Sequence, residues 1–186
     1  QMIGDKAVGL YSAATRISEV WYFIPMAMAS SVSPAIYAAK EVSESLYYRR
    51  IEQFLRLLSW LSIVVAVPMS FLSGTIITVL FGKSYEASAA ILAIHIWASL
   101  FVFMGVGTSP WFIAEGLTQF ALRRTIIGAV TNVFLNILLI PAYGGIGAAI
   151  STLISQSVAA FFSNAIDSKT RKIFNLQVKV LLPFRI

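Results

Sequence analysis

Four stretches of this chain, 20–39, 57–82, 87–114 and 125–166, contain no Asp, Glu, Lys or Arg. A helix needs about 20 predominantly apolar residues to cross the hydrocarbon layer of a bilayer, so the first three stretches each supply one crossing and the fourth has length for two. Its middle reads IPAYGG at 140–145, where Pro141 withholds a backbone donor and Gly144 and Gly145 permit a tight reversal between antiparallel helices. The pattern predicts an all-α, polytopic membrane helix bundle with five transmembrane helices, over 8–38, 57–80, 88–113, 125–140 and 146–166. Composition agrees: 58% of the 186 residues are hydrophobic and 12% charged, with a mean hydropathy of +0.81, more apolar than a solvated surface tolerates.

Basic residues set the expected orientation, because cytoplasmic loops are enriched in Lys and Arg. Lys40, Arg49, Arg50 and Arg56 fall between the first and second spans, Arg123 and Arg124 between the third and fourth, and Lys169, Arg171, Lys172, Lys179 and Arg185 in the tail. The other side holds Lys6 and Lys83. The N-terminus of the segment is therefore expected outside and the C-terminus in the cytoplasm. An odd number of spans with that start implies at least one further span before Gln1. Tyr37, Trp60, Tyr85, Trp111 and Tyr143 suit the interfacial belts. Residues 40–56 mix apolar with Arg and Glu positions and read as an interfacial cytoplasmic linker, an amphipathic helix lying on the inner membrane surface. The 167–186 tail reads as a basic anchor on anionic lipid.

The same composition removes several classes of function. There is no Cys and a single His, which excludes disulfides, thiolate metal sites and a Cys nucleophile. No metal cluster, cofactor motif or catalytic triad is legible, and an enzyme is not expected. GVGTSPWF at 105–112 lacks the third Gly and the strand of a nucleotide site. The net charge of +6 lies between apolar runs rather than along a soluble basic stripe, so membrane lipid and not nucleic acid is the expected partner.

Within the spans, few residues carry chemistry. Arg16 and Glu19 stand one helical turn apart in SAATRISEVWYFIP. Two placements are open: at the outer boundary as a snorkelling ion pair, or deep in the membrane, where such residues face a cavity or a partner. Gly128, Asn132 and Asn136 form a small, polar stripe at four-residue spacing, suited to packing between helices or to lining a cavity. Gly147, Ser151, Ser155 and Ala159 form a similar stripe on the next span. His95 is a weak candidate for proton relay, against the plainer role of a hydrogen-bonded structural residue.

Three segments together carry a family resemblance: VGLYSAATRISEVWYFIP, VLFGKSYEASAAILAIHIWASLFVFMG and NVFLNILLIPAYGGIGAAIST. They resemble the bacterial O-antigen flippases of Wzx type, in the polysaccharide transporter branch of the multidrug and oligosaccharidyl-lipid exporter superfamily. The resemblance implies a twelve-helix protein of two lobes, of which this chain supplies most of the C-terminal lobe, the N-terminal lobe being a missing partner. It implies translocation of undecaprenyl-pyrophosphate-linked oligosaccharide from the inner to the outer leaflet of the bacterial plasma membrane by alternating access, without cofactors. Arg16 would then meet substrate phosphate with its planar fork, and Glu19 would position it or moderate its affinity. Asn132 and Asn136 would be further cavity residues.

Two other functions compete. A cation-coupled exporter of the same superfamily would concentrate carboxylates in its spans, and Glu19 is the one candidate there. An O-antigen polymerase would need a large outer loop, whereas the outer loops read GKSYEA and PAYGG.

Overall fold

The computed structural model describes residues 4–182, and every regular element among them is helical. Arg185, counted above in the basic tail, and the opening Gln1 lie outside the described residues. The first two helices, α1 (Gly4–Glu19) and α2 (Phe23–Val42), form one long rod interrupted by a 3-10 turn at Val20–Tyr22. Pro25 has no N–H to offer the carbonyl of Trp21, so the ladder tightens there instead of continuing unchanged. At the far end Ser43 turns extended (φ −165°) and its hydroxyl accepts from the Leu46 N–H at 3.2 Å, capping α3 (Glu44–Phe71).

Helix α3 is continuous for 28 residues. The surface helix expected to 56 and the span expected from 57 run together here as one helix with no break. The reason is that Tyr47, Ile51, Phe54, Leu55 and Leu58 share a face and are buried against Phe103, Met104, Trp111 and Phe112, which rewards helix on both sides of 56. Leu72 joins α3 to α4 (Ser73–Phe81), and Gly82 at φ 84° turns the chain into a 3-10 segment, Lys83–Tyr85. Helices α5 (Ser88–His95) and α6 (Ala98–Ala114) follow, linked through hydrogen bonds from Ile96 N to Leu92 O and from Ser99 N to Ile96 O, both 3.0 Å.

Helix α7 (Thr118–Ser157) contains a non-helical residue, Gly144, at φ 56° and ψ −133°. There the chain doubles back, as the IPAYGG signal implies. Asn132 on the outgoing limb meets Ser155 on the returning one, and a Cβ on Gly147 would overlap the Leu139 carbonyl. The returning limb passes through a π segment, Val158–Phe162, into the short α8 (Ser163–Ile166). Amphipathic α9 (Arg171–Leu181) then buries Ile173, Gln177 and Val180 on the bundle. The Ala160 carbonyl, within the π turn, accepts from Asn164 Nδ2 (3.1 Å) and Gln177 Nε2 (2.8 Å), while Asn164 Nδ2 also donates to Gln177 Oε1 (2.9 Å). This amide knot fixes α9 to α8.

Three helical segments are long and apolar enough to cross a membrane: Glu44–Phe71, Ser88–Ala114 and the doubled-back Thr118–Ile166. The chain is a membrane helix bundle. The α1–α2 rod is not among those three; Ser30, Ser31, Ser33 and two prolines dilute its apolar run. Two apolar clusters hold the bundle, one joining α2, α3, α6 and α9, the other joining α1, α4, α5 and α7.

Candidate functional site: a polar trough along the α7 hairpin

Close approach of the two α7 limbs creates the main polar feature. An added Cβ on Gly128 would lie 2.6 Å from Ala159 Cβ, so only glycine admits the returning limb at this level. One turn on, Asn132 Nδ2 donates to Ser155 Oγ at 3.2 Å, and Asn136 Nδ2 donates to Asn132 Oδ1 at 2.9 Å. Asn136 Oδ1 is buried without a partner. Helix α1 joins through Tyr11, whose hydroxyl lies 3.3 Å from Thr152 Oγ1.

Three cavities run along this seam and share lining residues. One of about 270 Å³ includes Tyr11, Asn132, Asn136 and Thr152. The next, about 350 Å³, includes Asn132, Thr152, Ser155, Gln156 and Thr125. The third, about 270 Å³, continues through Thr125 and Gln156 to Arg124. The result is a trough of amides and hydroxyls with one cation at its end.

Arg124 is half-buried and tied to α6: Nη1 donates to Thr108 Oγ1 at 2.7 Å and Nη2 to the Gly105 carbonyl at 2.9 Å. Its guanidinium lies over the Phe112 ring, 4.8 Å from the centroid. Sequence reasoning counted Arg124 only as an orientation charge. Its neighbour Arg123 pairs with Asp167 at 3.3 Å, and nothing in the RR pair itself tells which one turns inward.

The predicted site residues fall into separate places. Asn132 and Asn136 are brought together in the trough. Arg16 and Glu19 are both exposed, on the side of α1 away from its buried Ala13, Ala14 and Ser18. No ion pair joins them among the described residues. His95 is buried beside the trough: its Nδ1 lies 2.6 Å from Ser18 Oγ, its ring meets Tyr11 edge-on at 6.0 Å, and its Nε2 has no partner. Among the described residues no group of His, Asp and Glu is assembled for a metal.

At the end of the bundle where α2, α6 and α8 finish, several charges are paired. Lys40 meets Glu115 (3.1 Å), Lys172 meets Glu44 (2.7 Å), and Glu52 takes both Lys179 (2.7 Å) and Arg56 (2.8 Å). The hydrogen bond to Glu44 raises the Lys172 pKa above the usual lysine value. The Lys169 backbone N–H, then Arg123, hold the Asp167 carboxyl below its usual range.

The fold defines a helical membrane bundle with polar groups gathered in a seam and on one outward face. Residues 16–182 match the family described as lipid II flippase MurJ, and the chain belongs to that family. It is 32% identical over 171 residues, 87% of its length, to the probable flippase AglR of Haloferax volcanii. It is 27% identical over 155 residues, 81% of its length, to the probable low-salt glycan biosynthesis flippase Agl15 of the same organism. Similarity to the capsular polysaccharide biosynthesis protein CapF of Staphylococcus aureus covers 89 residues at 34% identity, 48% of this chain and 22% of that protein. The chain spans about a third of the length of the two Haloferax relatives, 34% and 32%. No solved structure matches it. The kinship expected from the sequence motifs holds for glycan flippases as a group.

Proposed function

We propose that the full-length protein moves a lipid-linked saccharide from the inner to the outer leaflet of the plasma membrane, and that this chain forms five helices of its C-terminal lobe. The observation that carries the reading is Arg16: a cation with no ion-pair partner among the described residues, exposed on a helix that belongs to a membrane bundle. An Arg facing hydrocarbon at the bilayer centre costs about 2.5–3.5 kcal/mol on insertion scales, so such groups face water or another part of the protein. A cavity closed by the rest of the protein satisfies that demand. Arg16 would there hold the phosphate oxygens in a bidentate fork, with Glu19 one turn away limiting affinity so that the head group leaves.

In its finer form the substrate is an undecaprenyl-pyrophosphate-linked repeat unit of the O-antigen kind, in a bacterial inner membrane. The N-terminus of the segment lies outside and its tail in the cytoplasm. The basic residues clustered at the α2, α6 and α8 ends support that orientation.

The test is complementation. The full-length parent is expressed in a flippase-deleted bacterium with the matching saccharide, and surface glycan is measured together with unflipped lipid-linked intermediate. Wild type is expected to restore glycan and clear the intermediate, Arg16→Lys to retain part of that activity, and Arg16→Ala to lose it while inserting normally. Full activity in the Ala variant at native expression would remove Arg16 from the mechanism.

A further inference from the structure

The cavity headed by Arg124 differs from the rest of the trough in carrying a cation, and it opens beside exposed apolar residues. Its walls include Phe101 and Val102 on α6 and Gln156 on the returning limb. Leu122, Ile126 and Phe162, on the neighbouring turns, are large and exposed. Of the five guanidinium N–H groups, two donate to Thr108 and Gly105, and the other three have no protein partner among the described residues. No carboxylate forms an ion pair with Arg124 among those residues. The Gln156 side-chain amide, which also lines the cavity, has no hydrogen-bond partner among the described residues.

We propose that this cavity seats the phosphate of an anionic phospholipid, with Arg124 as the charged contact and the Gln156 amide as a second donor. Depth agrees with the assignment. Arg124 lies six residues past the start of α7, about 9 Å along the helix from the α6–α7 turn, which is headgroup depth rather than mid-membrane. Volume agrees as well: about 270 Å³ accommodates a phosphate with its glycerol. The charge preference follows from the neighbours. Arg123 and Lys169 lie over the Phe120 ring at 4.6 and 6.0 Å, and the local surplus is positive even with Asp167 on Arg123. Phe112 supports the guanidinium from behind, so the fork is fixed before the lipid arrives. This site depends only on membrane residence and would stand if the transported substrate proved to be something else.

The experiment is native mass spectrometry of the full-length protein, titrated in detergent with phosphatidylglycerol and, separately, phosphatidylcholine. Wild type is expected to retain one phosphatidylglycerol in preference to phosphatidylcholine. Arg124→Gln should weaken that retention at least tenfold, the loss of one charge-assisted contact. Val106→Trp, which fills the cavity and leaves the charge in place, should do the same and covers the case in which Arg124→Gln does not fold. Equal retention of the two lipids by wild type, or undiminished phosphatidylglycerol preference in a folded variant, would overturn the proposal. So would recovery of a polyprenyl pyrophosphate at this site in place of phospholipid.

Discussion

Gly128→Ala tests whether the α7 hairpin is held by close backbone approach. The new methyl would sit 2.6 Å from Ala159 Cβ and 3.4 Å from the Ser155 carbonyl. Carbon atoms pack at about 3.5–4.0 Å, so the limbs must separate by roughly 1 Å. Both partners belong to helix backbone or its first side-chain atom, and neither can swing away. Overpacking of this type costs about 1–3 kcal/mol. Separation also stretches the 3.2 Å bond from Asn132 to Ser155, worth about 0.6 kcal/mol in a membrane bundle. The helix propensity of alanine over glycine returns up to about 1 kcal/mol, leaving a net loss of about 1–3 kcal/mol. Gly9→Ala is the matched control, because its added Cβ meets nothing within 4 Å and should be neutral or stabilising. The assay is the thermal melting midpoint of the full-length protein in detergent. Gly128→Ala should melt lower than wild type, Gly9→Ala no lower, and Gly128→Ala with Ala159→Gly should recover most of the loss. If Gly128→Ala and Gly9→Ala melted alike, the hairpin packing described here would be wrong.

Other outcomes follow from the α9 end of the bundle. Gln177→Leu removes two hydrogen bonds from the buried amide knot and should destabilise α9 docking by about 1–3 kcal/mol, read as faster limited proteolysis after residue 166. Glu44→Gln breaks an exposed pair with Lys172 and should change the melting midpoint little, with any effect fading in high salt. Asp167, whose pKa is depressed below 3.8, contributes stability that is present above that value and lost as pH falls through the lower folded value. Protection of the tail from an acid-active protease should therefore drop below about pH 4, and Asp167→Asn should flatten that dependence.

The hairpin was legible because its determinants are local: Pro141 and the paired glycines interrupt an uncharged run too long for one crossing. The asparagine stripe was legible for the same reason, since four-residue spacing on a helix means one face. The continuity of α3 was not. Arg49, Arg50, Glu52 and Arg56 among apolar residues imitate a helix lying on a membrane surface, and the cover of its apolar face comes from α6 and α9, far along the chain. Glu52 takes Arg56 and Lys179, while Arg49 and Arg50 stay exposed. Arg124 was hidden by its own setting: in a basic loop it reads as an orientation signal, and its inward turn depends on Gly105 and Thr108 of a different helix. Arg16 was legible as an ionisable residue in an apolar helix, and the structure leaves it exposed and without an ion-pair partner among the described residues.

The most direct test of the account is transbilayer movement in proteoliposomes containing purified full-length protein and a fluorescent saccharide on a polyprenyl pyrophosphate, scored by a membrane-impermeant quencher. Wild type is expected to move the probe across the bilayer, Arg16→Ala to move it no faster than empty vesicles, and Arg16→Lys to be intermediate. Movement by Arg16→Ala at the wild-type rate, or none by correctly folded wild type under any imposed ion gradient or potential, would contradict it.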